Sequence, residues 1–217
     1  MENHKDTKYF VVSYGGVGTH MLMRMIKDED WLGHVIRNKK VKHMNHPHHL
    51  RVPPQSFRQF GHDGRVKLIY LFGDPINSVL SHFRRRVTNK KDWCRHHCMN
   101  VQGDYRKFDA RWDLIDYLEN GVDLFRLEEH FDNWTRIEAG SIDYDCMILK
   151  YESAHRHEAR IMDFLNTDVR LSYRSRNSDW RNESQEVRNK LVGMYGGLLE
   201  KCDSFPEIHE VKIRETD

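Results

Sequence analysis

Short apolar runs alternate with longer amphipathic ones along this chain. Tyr9-Phe10-Val11-Val12-Ser13-Tyr14 is a β-branched and aromatic run of strand length, and Gly15-Gly16-Val17-Gly18 breaks it. Behind the glycines, Met21, Leu22, Met25 and Ile26 share one face of a predicted helix. Residues 34–43 are ambiguous, with Val35, Ile36 and Val41 set among charges. Val66 to Phe72 reads as a second strand, stopped by Gly73-Asp74-Pro75, and a helix with proline in its first turn follows. Helices are predicted over 112–120 and 123–133, broken at Asn120-Gly121. Cys146 to Tyr151 reads as a third strand, and 154–165 as an amphipathic helix carrying Ile161, Met162, Phe164 and Leu165. A last helix over about 183–201 places Val187, Leu191, Tyr195, Leu198 and Leu199 at helical spacing. Asn182 is its expected cap, with Gln185 three residues later as in a capping box.

Strands that alternate with helices point to an α/β fold with a central parallel sheet flanked by helices. In such folds ligands sit beyond the carboxyl ends of the strands. Three chemically distinctive segments follow apolar strands here: 15–20, 73–81 and Tyr151-Glu152. They are expected to converge on one edge of the sheet. The length, 217 residues, suits one domain over 1–217.

Composition narrows the classes. Lys and Arg number 35 and Asp and Glu 33, a net charge of +2, so overall charge would not drive binding to nucleic acid or to a membrane surface. No stretch reaches 18 apolar residues, so no membrane span is expected. Met1 to Lys8 is polar and has no apolar core of a signal peptide, so a cytoplasmic protein is expected; a chain trimmed of its targeting segment would read the same. Four cysteines are too few for a disulfide scaffold at this length.

The glycine segment carries the first candidate chemistry. Glycines let backbone N–H groups converge on an anion at the start of a helix. No Lys follows Gly18, so this is not a nucleoside-triphosphatase loop, and the G-x-G-x-x-G spacing of dinucleotide-binding folds is absent. A tight strand-to-helix turn accounts for the same glycines equally well. Fifteen histidines also stand out. Cys94-Arg95-His96-His97-Cys98 with His43, His46, His48 and His49 would be the material of a zinc site. The cysteine spacing is also plain i,i+4 placement on a helix, and no metal is expected. Tyr117, Phe125, Phe131 and Trp134 read as core.

Taken in order, five segments resemble the sulfotransferase family that uses 3′-phosphoadenosine 5′-phosphosulfate (PAPS). Tyr9–Leu22 is similar to its 5′-phosphosulfate loop, a strand leading into Y-P-K-S-G-T-T. KLIYLFGDPINSVLSHF, Lys67–Phe83, resembles its 3′-phosphate segment, R-[DN]-P and then a serine, with Gly73 to Ser81 a step of eight. Trp112–Trp134 resembles its stretch of Gly and then H-x-x-x-W, Ile148–Leu165 its strand-Y-E-D-L-helix unit, and Ser178-Asp179-Trp180-Arg181-Asn182 its G-D-W-K-N near the carboxyl-terminal phosphate clamp.

The resemblance implies a three-layer fold like that of P-loop kinases and a role for each matching position. Gly15, Gly16, Val17, Gly18, Thr19 and His20 would form the 5′-phosphosulfate loop. Ser81 would hold the 3′-phosphate, Tyr151 would lie near the adenine, and Arg174 or Arg176 would clamp the 3′-phosphate. The family's base, a His in K-T-H-L-P, corresponds to His46 before Pro47 or, second, to His43. The implied reaction moves a sulfuryl group from PAPS to a hydroxyl or amine of a small-molecule or glycan acceptor, leaving 3′-phosphoadenosine 5′-phosphate (PAP).

Three departures stand against it. Gly16 replaces the loop's Lys or Arg, Gly73 replaces the Arg that opens the 3′-phosphate segment, and His20 replaces the second Thr. One residue is also missing between the arginines and Trp180. Each lost charge-assisted bond is worth about 1.5–3 kcal/mol. His20, Arg24 and Arg84-Arg85-Arg86 are candidate replacements, although the arginine run also reads as a solvated helix face. The alternative is a sulfotransferase-like nucleotide-binding protein without catalysis. A nucleotide kinase is disfavoured by the missing lysine.

Overall fold

The computed structural model describes residues 7–33, 49–88, 92–173 and 179–213, with backbone alone for 86–88. Four strands form one sheet in the order β1-β2-β3-β4: Lys8–Val12, Val66–Phe72, Asp145–Lys150 and Ile208–Val211. β1 pairs parallel with β2, from Lys8↔Val66 to Val12↔Tyr70. β2 pairs parallel with β3, from Lys67↔Asp145 to Phe72↔Lys150. Every residue of β2 except Lys67 is buried, which is why its sequence is a continuous apolar run rather than an alternating one.

The sheet is not wholly parallel as expected. β4 returns antiparallel along β3, with Cys146 opposite Val211. Its Ile-His-Glu-Val sequence buries only Val211 fully, so no apolar run marks it. Its position shields the free edge of β3.

Seven α-helices are present among the described residues: α1 Thr19–Met23, α2 Pro75–Thr88, α3 Trp93–Asn100, α4 Leu114–Glu119, α5 Leu127–Thr135, α6 Glu158–Leu165 and α7 Gln185–Ser204. α1 ends sooner than its apolar pattern predicts. The chain tightens into three-residue turns, Met25 N–H to Leu22 O and Ile26 N–H to Met23 O, while Met21, Leu22 and Met25 still face the core. α7 starts later than predicted. Its cap is Ser184, whose Oγ accepts from Val187 N–H, and Asn182 instead ends a single 3-10 turn capped by Asp179. Tyr151 closes no strand; it opens a 3-10 turn running to His157.

The core fills the space between sheet and helices. Tyr70 stacks on Trp134 at 5.1 Å between ring centres, and Trp134 Nε1–H donates to Leu50 O at 2.7 Å. Tyr117, Phe125, Phe131 and Trp134 are all buried. The four cysteines are free and buried. No helix is long and apolar enough to cross a membrane among the described residues.

Candidate functional site at the carboxyl edge of the sheet

The glycine loop, the Gly73-Asp74 turn and the Tyr151-Glu152 corner all follow parallel strands, so they meet at one edge, as the alternation of elements predicted. Gly15, Gly16 and Gly18 have φ of 85°, 66° and 79°, the left-handed region that favours glycine. Each also has a neighbour where a side chain would be. A Cβ at Gly15 would lie 2.3 Å from His97 Cε1, one at Gly16 2.7 Å from Ser78 Oγ, and one at Gly18 2.3 Å from the Tyr151 ring.

The backbone donors of the loop are its distinctive polar feature. Gly15 N–H donates to Ser13 Oγ at 3.0 Å, and Met21 N–H donates to Gly18 O at 2.8 Å. Between them, among the described residues, the N–H groups of Gly16, Val17, Gly18 and Thr19 have no acceptor within the chain, and Gly18 caps α1 without a side-chain bond. Successive N–H groups around positive-φ glycines can form a concave anion site; here Gly16 and Gly18 are half-buried, and Val17 and Thr19 are buried. α1 has only five residues, so its dipole adds little and the loop's own donors carry the site.

The remaining parts of the edge are tied together. Asp74 caps α2: Oδ1 accepts from Asn77 N–H at 2.9 Å, and Oδ2 accepts from Asn77 Nδ2 at 2.9 Å and from Trp180 Nε1–H at 3.1 Å. Trp180 N–H donates to Asn77 Oδ1 at 3.0 Å, which joins the Asp179-Trp180-Arg181-Asn182 segment to α2. Tyr14 reaches across from the glycine loop. Its hydroxyl donates to Gly73 O and accepts from Gly73 N–H. Burial pushes that phenol well above its ordinary range, so it stays protonated.

Gly16 and Gly73 differ in what surrounds them. Ser78 Oγ and O crowd the side-chain position of Gly16 at 2.7 and 2.9 Å. At Gly73 the Glu152 carboxylate stands 2.8 Å from the side-chain position, and Glu152 Oε1 accepts from Asp74 N–H at 3.1 Å. A side chain at Gly16 would require the Ser78 backbone to move, whereas at Gly73 only the carboxylate end of Glu152 would have to shift.

Of the sequence-derived candidates, Gly15, Gly16, Val17, Gly18 and Thr19 form one continuous loop. Thr19 is turned inward, its Oγ1 2.5 Å from Ser13 Oγ. His20 is exposed on α1, and Ser81 is half-buried on α2, one turn beyond Ser78. Tyr151 is buried against Gly18 and beside the Tyr173 ring at 5.5 Å. His43, His46, Arg174 and Arg176 lie outside the described residues. Of the proposed compensating cations, Arg84 pairs with Glu183 at 3.2 Å. Cys98 Sγ donates to Leu124 O, and burial pushes the Cys98, Cys146 and Cys202 thiols up, so they are not thiolate nucleophiles at neutral pH.

Sequence reasoning missed two features of this edge: the Glu152 carboxylate over Gly73 and a group of buried histidines, His49, His82, His97 and His130. Only the i,i+4 spacing of Ser78 and His82 hinted that a histidine faces inward. Compared with protein-family models, curated proteins and solved structures, the chain matches none.

Proposed function

We propose that this protein is a PAPS-dependent sulfotransferase, in a fold related to the P-loop kinases, whose carboxyl sheet edge holds the phosphorylated ends of the nucleotide. The observation that carries this reading is the run of four loop N–H groups, Gly16 to Thr19, without an acceptor among the described residues, at the carboxyl ends of three parallel strands. These donors suit the 5′-phosphosulfate. The half-buried Ser81 hydroxyl on α2 is the candidate for the 3′-phosphate, and the Tyr151 ring over Gly18 would border the adenosine. Arg174 or Arg176 supplies the clamp in this reading. His46 takes the proton of the acceptor hydroxyl as the acceptor oxygen bonds to sulfur and the sulfur–oxygen bond to the phosphate breaks, releasing PAP. The acceptor is a small molecule or a glycan.

A second reading, nucleotide binding without transfer, is favoured by one specific observation. The Glu152 carboxylate occupies the place beside Gly73 where the resemblance implies an arginine. Calorimetric titration with PAP, with ATP and Mg²⁺ as the control, decides first whether the site exists. Micromolar PAP binding without ATP binding supports the site, and no PAP binding sinks both readings. Turnover with PAPS that is lost in His46→Ala while PAP still binds supports the transferase. PAP binding with no turnover of any acceptor by the unaltered protein leaves the second.

A further inference from the structure

Four buried histidines lie behind the glycine loop, and two of them bond to its backbone. β1 ends at Val12, so the carbonyls of Ser13, Tyr14 and Gly15 leave the strand ladder. Each is taken by a different side chain. His49 Nδ1–H donates to Ser13 O at 2.8 Å, His97 Nε2–H to Tyr14 O at 3.1 Å, and Ser78 Oγ–H to Gly15 O at 2.7 Å. A carbonyl oxygen only accepts, so the proton sits on Nδ1 of His49 and on Nε2 of His97.

The rings are held in turn. His82 stacks on His97 at 3.7 Å between centres and 29° between planes, and its Nε2 lies 3.5 Å from Ser78 Oγ. His49 meets His97 edge-on at 4.8 Å and 83°. The His97 ring stands where a Gly15 side chain would be, so residue 15 is glycine for a ring as well as for its φ.

A trans peptide is planar and its C=O and N–H point in opposite directions. Fixing the Gly15 carbonyl on Ser78 therefore turns the Gly16 N–H away from Ser78 on α2. The Tyr14 carbonyl on His97 fixes the preceding plane, whose N–H, that of Gly15, is bound to Ser13 Oγ, and so holds the entry to the turn. The loop has three positive-φ glycines, which would otherwise sample many conformations.

We propose that His97, with His49 and Ser78, is the positioning residue of this loop: His49 and His97 fix the two peptide planes that enter it and Ser78 fixes the plane of the Gly16 N–H, so that the N–H groups from Gly16 to Thr19 face one tetrahedral oxyanion, a phosphate or sulfate ester. The ligand rests on the nucleotide reading above; the orienting role does not.

The test uses ¹⁵N-labelled full-length protein as the unaltered chain, His97→Ala, His97→Gln and Ser78→Ala. Gln keeps an N–H donor near the place of Nε2. The expected result is a fall in backbone order parameters of Gly16–Thr19 in His97→Ala, from about 0.85 to below about 0.6, with Val11 and Ile69 unchanged. PAP affinity should fall about tenfold in His97→Ala and stay within about threefold in His97→Gln, the size of one lost or kept hydrogen bond. Ser78→Ala, a smaller change, should loosen the same amides to a lesser degree, and it decides the matter if His97→Ala does not fold. Unchanged loop order in the variant that folds, or an equal loss of order in the core strands, overturns the proposal. If the unaltered protein binds no PAP, the nucleotide reading fails while the order parameters still test the role of His97.

Discussion

The two edges of one sheet are built in opposite ways. At the amino edge lies a cleft of about 950 Å³, lined by side chains that include Arg65, Lys67, Asp145, Arg160 and Glu210. Several of its charged side chains are already engaged: Arg65 pairs with Asp145 at 3.0 Å, Arg160 with Glu210 at 2.6 Å, and Lys67 Nζ donates to Phe164 O at 3.2 Å. At the carboxyl edge the glycine loop presents backbone, its carbonyls bound by buried side chains and four of its N–H groups without an acceptor among the described residues. The difference teaches that volume alone does not mark a site. Flexible side chains that satisfy one another leave little field for a ligand, whereas backbone donors held at fixed angles cost no reorganisation when an anion arrives.

The sharpest way to break this contrast is to disturb the loop's packing. Gly18→Ala adds a Cβ 2.3 Å from the Tyr151 ring at a φ of 79°. Left-handed strain of about 1–2 kcal/mol and overpacking of about 1–3 kcal/mol should together lower stability by several kcal/mol in a urea melt. Gly121, between α4 and α5, has φ of 70° and nothing within 4 Å of its side-chain position. Gly121→Ala should therefore cost only the strain, about 1–2 kcal/mol. Equal losses in the two variants would mean that Tyr151 yields and the loop is not tightly set.

Next in size is the acid response of the layer behind the loop. Burial, with the Arg51 charge adding to it, pushes the His130 imidazole down to about 3. Its ring lies between Tyr14 and Tyr70, with Nδ1 3.3 Å from the Tyr70 hydroxyl. The folded pKa is depressed, so between about pH 6.5 and 3 the unfolded chain binds a proton that the folded chain does not. The contribution is fully present above about pH 6.5 and is lost as pH falls, by up to about 1.4 kcal/mol per pH unit. His130→Phe should flatten the slope of stability against pH in that window by about one proton. A slope identical to that of the unaltered protein would show that His130 is reached by solvent.

What the sequence made legible follows from what is local. β2 was readable because burial on both faces makes a continuous apolar run, and the glycine loop because positive φ needs glycine whatever packs on it. β4 was not, because a four-residue strand with one fully buried side chain has no period of its own. His82 and His97 sit in helices among charged neighbours, where a polar residue reads as exposed; their burial depends on α2 meeting α3 behind the loop. The same holds for Glu152, which is 79 positions from the glycine it covers. Local pattern located the edge, and only tertiary contacts revealed the crowding at Gly16 and the Glu152 carboxylate beside Gly73. The base and clamp residues, His46, His43, Arg174 and Arg176, rest on the resemblance alone.

The smallest effect is expected at the amino edge, and it sharpens the comparison by being small. Arg160 on α6 is half-exposed and pairs with Glu210 of β4 at 2.6 Å. An exposed pair of this kind contributes about 0.2–1 kcal/mol, less at high salt. Arg160→Ala should therefore shift the urea midpoint slightly, with most of the shift gone at 1 M salt, where the screening length is about 3 Å, and should leave the order parameters of Gly16–Thr19 untouched. A loss of several kcal/mol that persists in salt, or a loosened glycine loop, would mean that the two edges are coupled through the sheet and that the amino cleft is more than a solvated set of matched charges.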